Sequence, residues 1–291
     1  MDECGMVTLA MWSALLNVTF MGHAVVVLGD YEGQFTPIQD QHRLEQWNKL
    51  WNSRFLIDLC RGLRVTLRKY RRKAANQPLD PEHFNFVGKL YPRHGMALPD
   101  GIAAARDRYP AKSTFRIWGT TLCITHKCRI SVNANVNNQL APSNAVFVPA
   151  KISNTTDANQ PQDMRVWQGI ILIARCGSKE CHLKNGVRYQ VLNITDSNNK
   201  TPGSRNGPKG QQFEMTGIND KDEQMGESFF MTKEEVGEKM RLPHAITYFS
   251  SQARTIYGGL RLTQTSHKLF TMRHLIVGLG RGPRACDIEV D

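Results

Sequence analysis

The first part of the chain alternates a helical apolar pattern with an apolar strand pattern. Residues 5–29 contain no Asp, Glu, Lys or Arg. The run divides into an amphipathic helix over Val7 to Phe20, a turn at Gly22 and a short buried strand over Ala24 to Leu28. A second helix with one buried face is predicted from His42 to Leu63. This alternation is typical of an α/β fold with a parallel sheet, in which loops at the strand ends bind ligands.

The pattern changes in the middle of the chain. Apolar alternation over Phe115 to Thr125 predicts a strand, followed by a helix that Pro142 ends. Short strands follow, with a hairpin turn at Lys184-Asn185-Gly186. They are VFVPAKI, VWQGIILIAR, HLKNGVRYQVLNI and SFFMT. Residues 145–235 are therefore predicted to be a β-rich insertion, with a mobile polar loop near 196–225.

The last part returns to the α/β pattern. HAITYF is predicted to be a strand, SSQARTIYGG a polar connection, and HLIVGLGRG a buried strand that runs into a loop. The segments before and after the insertion would then share one sheet in a discontinuous domain.

Charge and cysteine content narrow the class of protein. The chain has 37 Lys and Arg against 26 Asp and Glu, a formal charge of +11, which favours an anionic partner such as nucleic acid. Polar residues interrupt the apolar N-terminal run, so no membrane association is expected. Seven cysteines in 291 residues form no secreted disulfide pattern, which predicts a reducing, intracellular location, either nuclear or viral/cytoplasmic.

Two cysteine pairs share one spacing, and each has a histidine close by. They are Cys123 with Cys128 near His126, and Cys176 with Cys181 near His182. Four intervening residues exceed the usual two of a zinc site, and both pairs lie in strand-like apolar sequence. Buried free thiols are therefore favoured, and no zinc is expected.

Three short motifs could carry phosphate chemistry. Asp2 and Glu3, if an apolar strand preceded them, would hold magnesium and polarise a water. VVVLGDYEGQF places Gln34 four residues after Asp30, within reach of a terminal phosphate, and HLIVGLGRG places Arg281 where its guanidinium could meet one. Each motif taken alone is more simply an ordinary exposed terminus or loop.

In their order along the chain, these motifs resemble the superfamily 1 DNA helicases of the RecD-like and Pif types. DECGMVTLAMWSALLNV resembles the Walker B motif and its helix, VVVLGDYEGQFTPI the Gly-Asp-Gln motif, and DLCRGLRVTLRKYRRK the strand before a Tyr-Arg pair. ITYFSSQARTIYGGLRL resembles the Ser-Gln motif, HLIVGLGRG the closing arginine motif, and LKNGVRYQVLNIT the strands of an inserted barrel. The resemblance covers essentially the whole chain.

The resemblance implies an α/β fold of RecA-like lobes of the P-loop NTPase type. Residues 1–66 would be the C-terminal part of the first lobe, and residues 67–144 with 236–291 a discontinuous second lobe. Residues 145–235 would be a small barrel inserted into that second lobe.

The resemblance also implies a site for ATP and Mg²⁺. Asp2 would bind the magnesium ion and Glu3 would be the general base. Gln34 would sense the γ-phosphate, and Arg71 and Arg281 would be arginine fingers.

Two further groups of residues follow from the resemblance. Gly29 and Asp30 would lie at the nucleotide, while Ser251, Gln252 and Thr255 would couple the nucleotide to single-stranded DNA or another nucleic acid. The sequence departs from the family in this second motif, because an alanine replaces the usual glycine after Gln252. A side chain at that position removes easy access to a positive φ.

The sequence contains no Gly-x4-Gly-Lys-Ser/Thr loop, which in this family cradles the β- and γ-phosphates ahead of the Asp-Glu pair. We therefore expect a fragment or truncated form of an ATP-dependent DNA helicase that is inactive alone. The alternative is a non-catalytic nucleic-acid-binding module; a zinc-bearing structural protein is a lesser one.

Overall fold

A computed structural model describes residues 9–30, 32–35, 53–67, 78–112, 119–152, 160–178, 183–196, 210–219 and 222–291. The chain divides into two compact units. Unit 1 comprises residues 1–110, 251–255 and 268–286, and unit 2 comprises residues 111–250, 256–267 and 287–291. The lobe boundaries predicted above at residues 66, 144 and 235 stay predictions.

The elements are as follows. The helices are α1 (Leu9–Phe20), α2 (Arg54–Leu59), α3 (Pro81–Lys89), α4 (Leu98–Arg108), α5 (His126–Leu140), α6 (Lys233–Lys239) and α7 (Met272–Leu279). The strands are β1 (Thr120–Cys123), β2 (Val146–Val148), β3 (Met164–Val166), β4 (Ile171–Ala174), β5 (Arg188–Asp196), β6 (Gln211–Ile218), β7 (Gln224–Thr232), β8 (Met240–Arg241), β9 (Ala245–Thr247), β10 (Leu260–Leu262) and β11 (Ile288–Val290).

Unit 2 contains a parallel sheet in the order β11-β10-β1-β9. It combines one strand from before the β-rich segment with three from after it, as the sequence predicted. Helix α5 packs on β1 and β9, and the Asn133 amide exchanges two hydrogen bonds with the backbone of Ala245, at 3.0 and 2.8 Å. A crossover helix covering a parallel sheet is the expected way to bury such strands.

Unit 2 also contains a five-stranded antiparallel sheet in the order β7-β6-β5-β4-β8, and a small β2-β3 pair. This confirms the predicted β-rich insertion, and the turn between β4 and β5 has Gly186 at a φ of +80°. The prediction of a mobile loop near 196–225 is wrong where β6 and the start of β7 form strands. Phe213, Met215 and Ile218 of β6 are buried, so apolar side chains at the end of a polar stretch anchor that strand.

The N-terminal part of unit 1 confirms one predicted element and corrects two. The helix predicted over Val7 to Phe20 is α1 in its described part, and it buries Trp12 against α2. The second helix, predicted from His42 to Leu63, is not continuous: Ser53 is extended and caps α2 with its side chain, and α2 ends at Leu59. Residues 42–52 lie outside the described residues. No strand is assigned within the described residues 23–30, where Ala24 to Leu28 was predicted to be one; Val26 is 67% exposed.

The closing motif HLIVGLGRG forms a helix, which corrects the predicted strand. Thr271 and His274 form a capping box at the start of α7, and Leu275 to Leu279 are buried. A short apolar run fits either a buried strand or a buried helix, and here the cap decides. Gly101 of α4 faces the start of α7, where a Cβ at this position would lie 2.9 Å from Cε of the flexible Met272 side chain.

Candidate functional site

Unit 1 contains every predicted site residue that the structure describes. These are Gly29, Asp30, Gln34, Ser251, Gln252, Thr255 and Arg281. Asp2, Glu3 and Arg71 lie outside the described residues, so their roles stay predictions. Three segments that are distant in sequence, residues 29–35, 251–255 and 270–281, therefore belong to one compact unit.

The first segment is a tight loop closed by its two end residues. The Asp30 amide donates to Gln34 Oε1 at 3.1 Å, and the Gln34 amide donates to the Asp30 carbonyl at 2.9 Å. Oδ1 of Asp30 also accepts from the amides of Glu32 and Gly33, at 3.1 and 2.9 Å. Gly33 is needed here because a Cβ would lie 2.4 Å from Asp30 Oδ2. The loop therefore fixes the position of the Gln34 side chain.

The carboxylate of Asp30 anchors this loop to two other parts of unit 1. Tyr91 donates its hydroxyl to Asp30 Oδ2 at 2.5 Å. Burial lowers the pKa of Arg273 in α7, while the negative charge of Asp30 opposes that shift, so the two charges attract each other. An ion pair of 3.0 Å between Arg93 and Glu32 adds a third link. Since charge-assisted hydrogen bonds are among the stronger ones, the loop is held from several sides.

Gln252 joins the second segment to the first. Its Oε1 accepts a hydrogen bond of 2.8 Å from the Phe35 amide, although the two residues are 217 positions apart. The Phe35 ring lies 4.6 Å from the His274 ring of α7, centroid to centroid. Phe35 and Gln252 are both buried, so little water competes for this bond.

The turn around Gln252 has a positive φ at Ala253, although the sequence has an alanine there instead of the family's usual glycine. Ala253 has a φ of +60°, the left-handed conformation that glycine adopts at lower cost. Ser251 is fully buried, and its carbonyl accepts from the Arg254 amide at 3.2 Å. Thr255 is half-buried at the end of the segment. The motif therefore keeps its turn without the glycine.

Arg281 lies in the turn that follows α7. Its Nε donates to the Val277 carbonyl at 3.2 Å, and its Nη1 lies 3.5 Å from the Arg254 carbonyl. The second contact links the closing arginine motif to the Gln252 motif. The structure thus brings together the residues predicted to sense the phosphate, to couple it to DNA and to supply a cation.

Four residues of this arrangement were not predicted. They are Phe35, Tyr91, Arg273 and His274. His274 was missed because its segment was predicted to be a strand rather than part of α7, and Arg273 lies just before that segment. Tyr91 lies far from the loop in sequence, and nothing in the sequence indicated its contact with Asp30.

The cysteine pairs give no metal centre in the part of the chain that the structure describes. No group of three His, Cys, Asp or Glu side chains there is placed to hold a metal ion. Burial and the neighbouring Cys128 thiol raise the pKa of Cys123 to about 12, so this thiol is protonated in the metal-free protein. Cys181 and His182 lie outside the described residues. No described helix is both long and apolar enough to cross a bilayer.

Comparisons with known proteins give matches in structure alone. No protein-family model and no curated protein matches the sequence. The Pif1 helicase of Candida albicans matches 99% of this chain over 71% of its own, with 15% identity and a TM-score of 0.62. Bacteroides Pif1 bound to ssDNA matches 100% of this chain over 69% of its own, with 17% identity and a TM-score of 0.60. Pif1 helicase from Bacteroides in complex with ADP-AlF3 and ssDNA has 19% identity over the same shares and a TM-score of 0.57. The chain therefore has the RecA-like α/β fold of the Pif1 helicases.

Proposed function

We propose that this chain is the part of an ATP-dependent DNA helicase that senses the nucleotide and couples it to single-stranded DNA. The hydrogen bond between the Phe35 amide and Gln252 Oε1 carries the proposal. It ties the loop of the predicted phosphate sensor, Gln34, directly to the predicted DNA-coupling motif. A displacement of the loop by a bound phosphate would therefore move the residues that follow Gln252.

The chemistry assigned to the site needs few reacting groups. Phosphoryl transfer needs a metal ion, an oriented water and cations around the developing charge. In this proposal Asp2 holds Mg²⁺, Glu3 orients the water, and Arg71 and Arg281 supply the cations. Gln34 contacts the γ-phosphate of ATP.

Two observations support a nucleic-acid partner. The formal charge of +11 favours an anionic partner, and the chain has the fold of helicases whose structures were solved with ssDNA. The sequence contains no phosphate-binding loop, so we propose that this polypeptide alone does not hydrolyse ATP. An intracellular, reducing location belongs to the same proposal.

The first test measures DNA binding by fluorescence anisotropy of a labelled single-stranded oligonucleotide. Binding should weaken steeply as salt rises, because each phosphate contact releases counterions. Adding MgATP or ADP with aluminium fluoride should shift the DNA affinity of the wild type, and Gln252→Ala should abolish that shift. Gln190→Ala, a half-buried glutamine on β5, is the matched control. Absence of binding at low salt would overturn the proposal.

The second test measures ATP hydrolysis with Mg²⁺ and single-stranded DNA. We expect no turnover above background, and turnover that Glu3→Gln removes would show that the chain is active alone. A non-catalytic binding module would give salt-dependent DNA binding that no nucleotide alters, in the wild type and in Gln252→Ala alike.

A further inference from the structure

A buried histidine of unit 1 contacts the residue next to Arg281. His83 in the first turn of α3 has no exposed surface. Its Nδ1 lies 2.8 Å from the Tyr109 hydroxyl, and its Nε2 lies 3.2 Å from the Gly282 carbonyl oxygen. A residue from a distant helix therefore holds the backbone directly after the predicted arginine finger.

The partners determine the protonation of this ring. A carbonyl oxygen only accepts, so Nε2 of His83 carries the proton and donates to Gly282, and Nδ1 accepts from the Tyr109 hydroxyl. Burial lowers the pKa of His83, which favours the neutral ring. Burial also raises the pKa of Tyr109 to about 12, which keeps the phenol protonated as the donor.

Asp80 adds a second link to the same turn. Its Oδ1 caps α3 by accepting from the His83 amide at 3.0 Å, and its Oδ2 accepts from the Ala285 amide at 3.0 Å. Burial would raise the pKa of Asp80, but the hydrogen bonds from the Ala285 and His83 amides lower it below its usual value. The start of α3 thus holds the turn at both Gly282 and Ala285.

We infer that His83 is a positioning residue for Arg281. The Arg281 guanidinium contacts the carbonyls of Val277 and Arg254. The backbone of Arg281 runs directly into Gly282, whose carbonyl His83 contacts, so a looser turn at Gly282 would loosen the backbone from which the Arg281 side chain extends. The contact of Arg281 with a phosphate rests on the proposed function. The contact of His83 with the turn does not.

The same geometry predicts an effect of pH. Adding a proton to Nδ1 of His83 turns that atom into a donor, so the Tyr109 hydroxyl must change from donor to acceptor. The proton also places a positive charge on a ring with no exposed surface, and opening of the turn to water relieves that cost. The charge of Asp80 favours the added proton and the charge of Arg108 opposes it, and the Tyr109 hydroxyl lies against Nδ1. The turn should therefore loosen as the solution is acidified through the lowered pKa of His83.

Hydrogen exchange of the peptide covering residues 280–286 tests the inference. His83→Leu should speed exchange there by about tenfold, and His83→Gln, whose amide can still donate to Gly282, should restore it to near wild type. Tyr109→Phe keeps the ring and should give an intermediate rate. Val87→Ala, a buried position on the same helix, controls for general loosening of α3. Equal rates in His83→Leu and Val87→Ala, or no rescue by His83→Gln, would overturn the inference.

The effect of acid is tested by hydrogen exchange of the same peptide at several pH values. Each rate is corrected for the pH dependence of intrinsic exchange. The wild-type rate should rise as the pH is lowered, while the His83→Gln rate should stay level. A parallel rise in both proteins would contradict a role for the ring.

Repeating the hydrogen-exchange measurement with bound nucleotide separates this inference from the proposed function. ADP with Mg²⁺ and aluminium fluoride should slow exchange of the Arg281 peptide in the wild type and in His83→Gln, but not in His83→Leu. No slowing in the wild type would count against the phosphate contact of Arg281, and the nucleotide-free rates would still decide the role of His83. Equal slowing in the wild type and in His83→Leu would reject the positioning role.

Discussion

The Tyr91 hydroxyl donates a hydrogen bond of 2.5 Å to Asp30 Oδ2, and this bond holds the loop that carries Gln34. Tyr91→Phe would remove the donor and leave a carboxylate that still attracts the Arg273 charge. Because hydrogen bonds to charged groups contribute about 1.5–3 kcal/mol, we expect a loss of unfolding free energy in that range. Urea denaturation followed by circular dichroism measures it.

Tyr257→Phe is the matched control for this substitution. Tyr257 is 38% exposed, so its replacement should change stability by less than about 0.5 kcal/mol. If the two variants had the same unfolding free energy, the bond to Asp30 would not support the loop.

We predict that replacing Ala253 by glycine stabilises the protein. Its φ of +60° costs a residue with a Cβ about 1–2 kcal/mol, and glycine avoids that cost while losing some entropy on folding. Ala253→Gly should therefore stabilise the protein by up to about 1 kcal/mol, as measured by the urea midpoint. Ala105→Gly, in the interior of α4, is the control and should destabilise by about 1 kcal/mol. A loss of stability in Ala253→Gly would show that the turn does not strain the alanine.

The fold class could be predicted from the sequence because its signals are local. The apolar run of α1, the turn at Gly186 and the helix that Pro142 ends are each set by neighbouring residues. The order of the short motifs then carried the resemblance to Pif-type helicases, and the structural comparisons confirm that fold.

The rest depended on a local cap and on contacts between distant residues. The apolar run at residues 275–279 could not be distinguished from a strand until Thr271 and His274 were seen to cap it. The polar sequence of β6 gave little sign of a strand, which forms because Phe213 and Met215 find a core. The roles of Tyr91 and His83 arise only from contacts that the fold creates, so no local pattern reports them.

Because the ring of His244 is buried, we predict that the free energy of unfolding decreases as the pH is lowered. Burial lowers its pKa to about 4 from the usual 6.5, and its Nε2 is buried with no hydrogen-bond partner among the described residues. Between those values the unfolded chain binds more protons, so stability is lost as the pH is lowered from about 6.5 to 4. A shift of this size corresponds to about 3 kcal/mol at most.

Replacing this ring should reduce the acid sensitivity. Unfolding free energies of the wild type and His244→Leu, measured between pH 4 and 7, should differ in slope, with the variant flatter. Some slope should remain, because burial lowers the pKa of His83 as well. His94→Leu, at an exposed position, controls for the loss of an imidazole. Identical slopes in the wild type and His244→Leu would contradict the prediction.

Residues 63–67 of unit 1 carry exposed apolar side chains, and we predict that they bind a hydrophobic dye. Leu63 is 79% exposed, and Val65 and Leu67 are each 83% exposed, so the three side chains gain little from folding. Exposed apolar side chains that lie close together in the sequence offer a surface to partners or to aggregation. Replacing all three by Ser should lower the fluorescence of the hydrophobic dye ANS and should change the unfolding free energy by less than about 1 kcal/mol.

Substitution of the nearby buried residue Leu59 should have the opposite effect on stability and on dye binding. Leu59 is 5% exposed and packs in the cluster around Trp12, so Leu59→Ser should cost about 2–5 kcal/mol, because it leaves a cavity and buries a hydroxyl. Its ANS fluorescence should rise rather than fall, since loosening this cluster exposes more apolar surface. If the triple variant were as unstable as Leu59→Ser, residues 63–67 would be packed rather than exposed in solution.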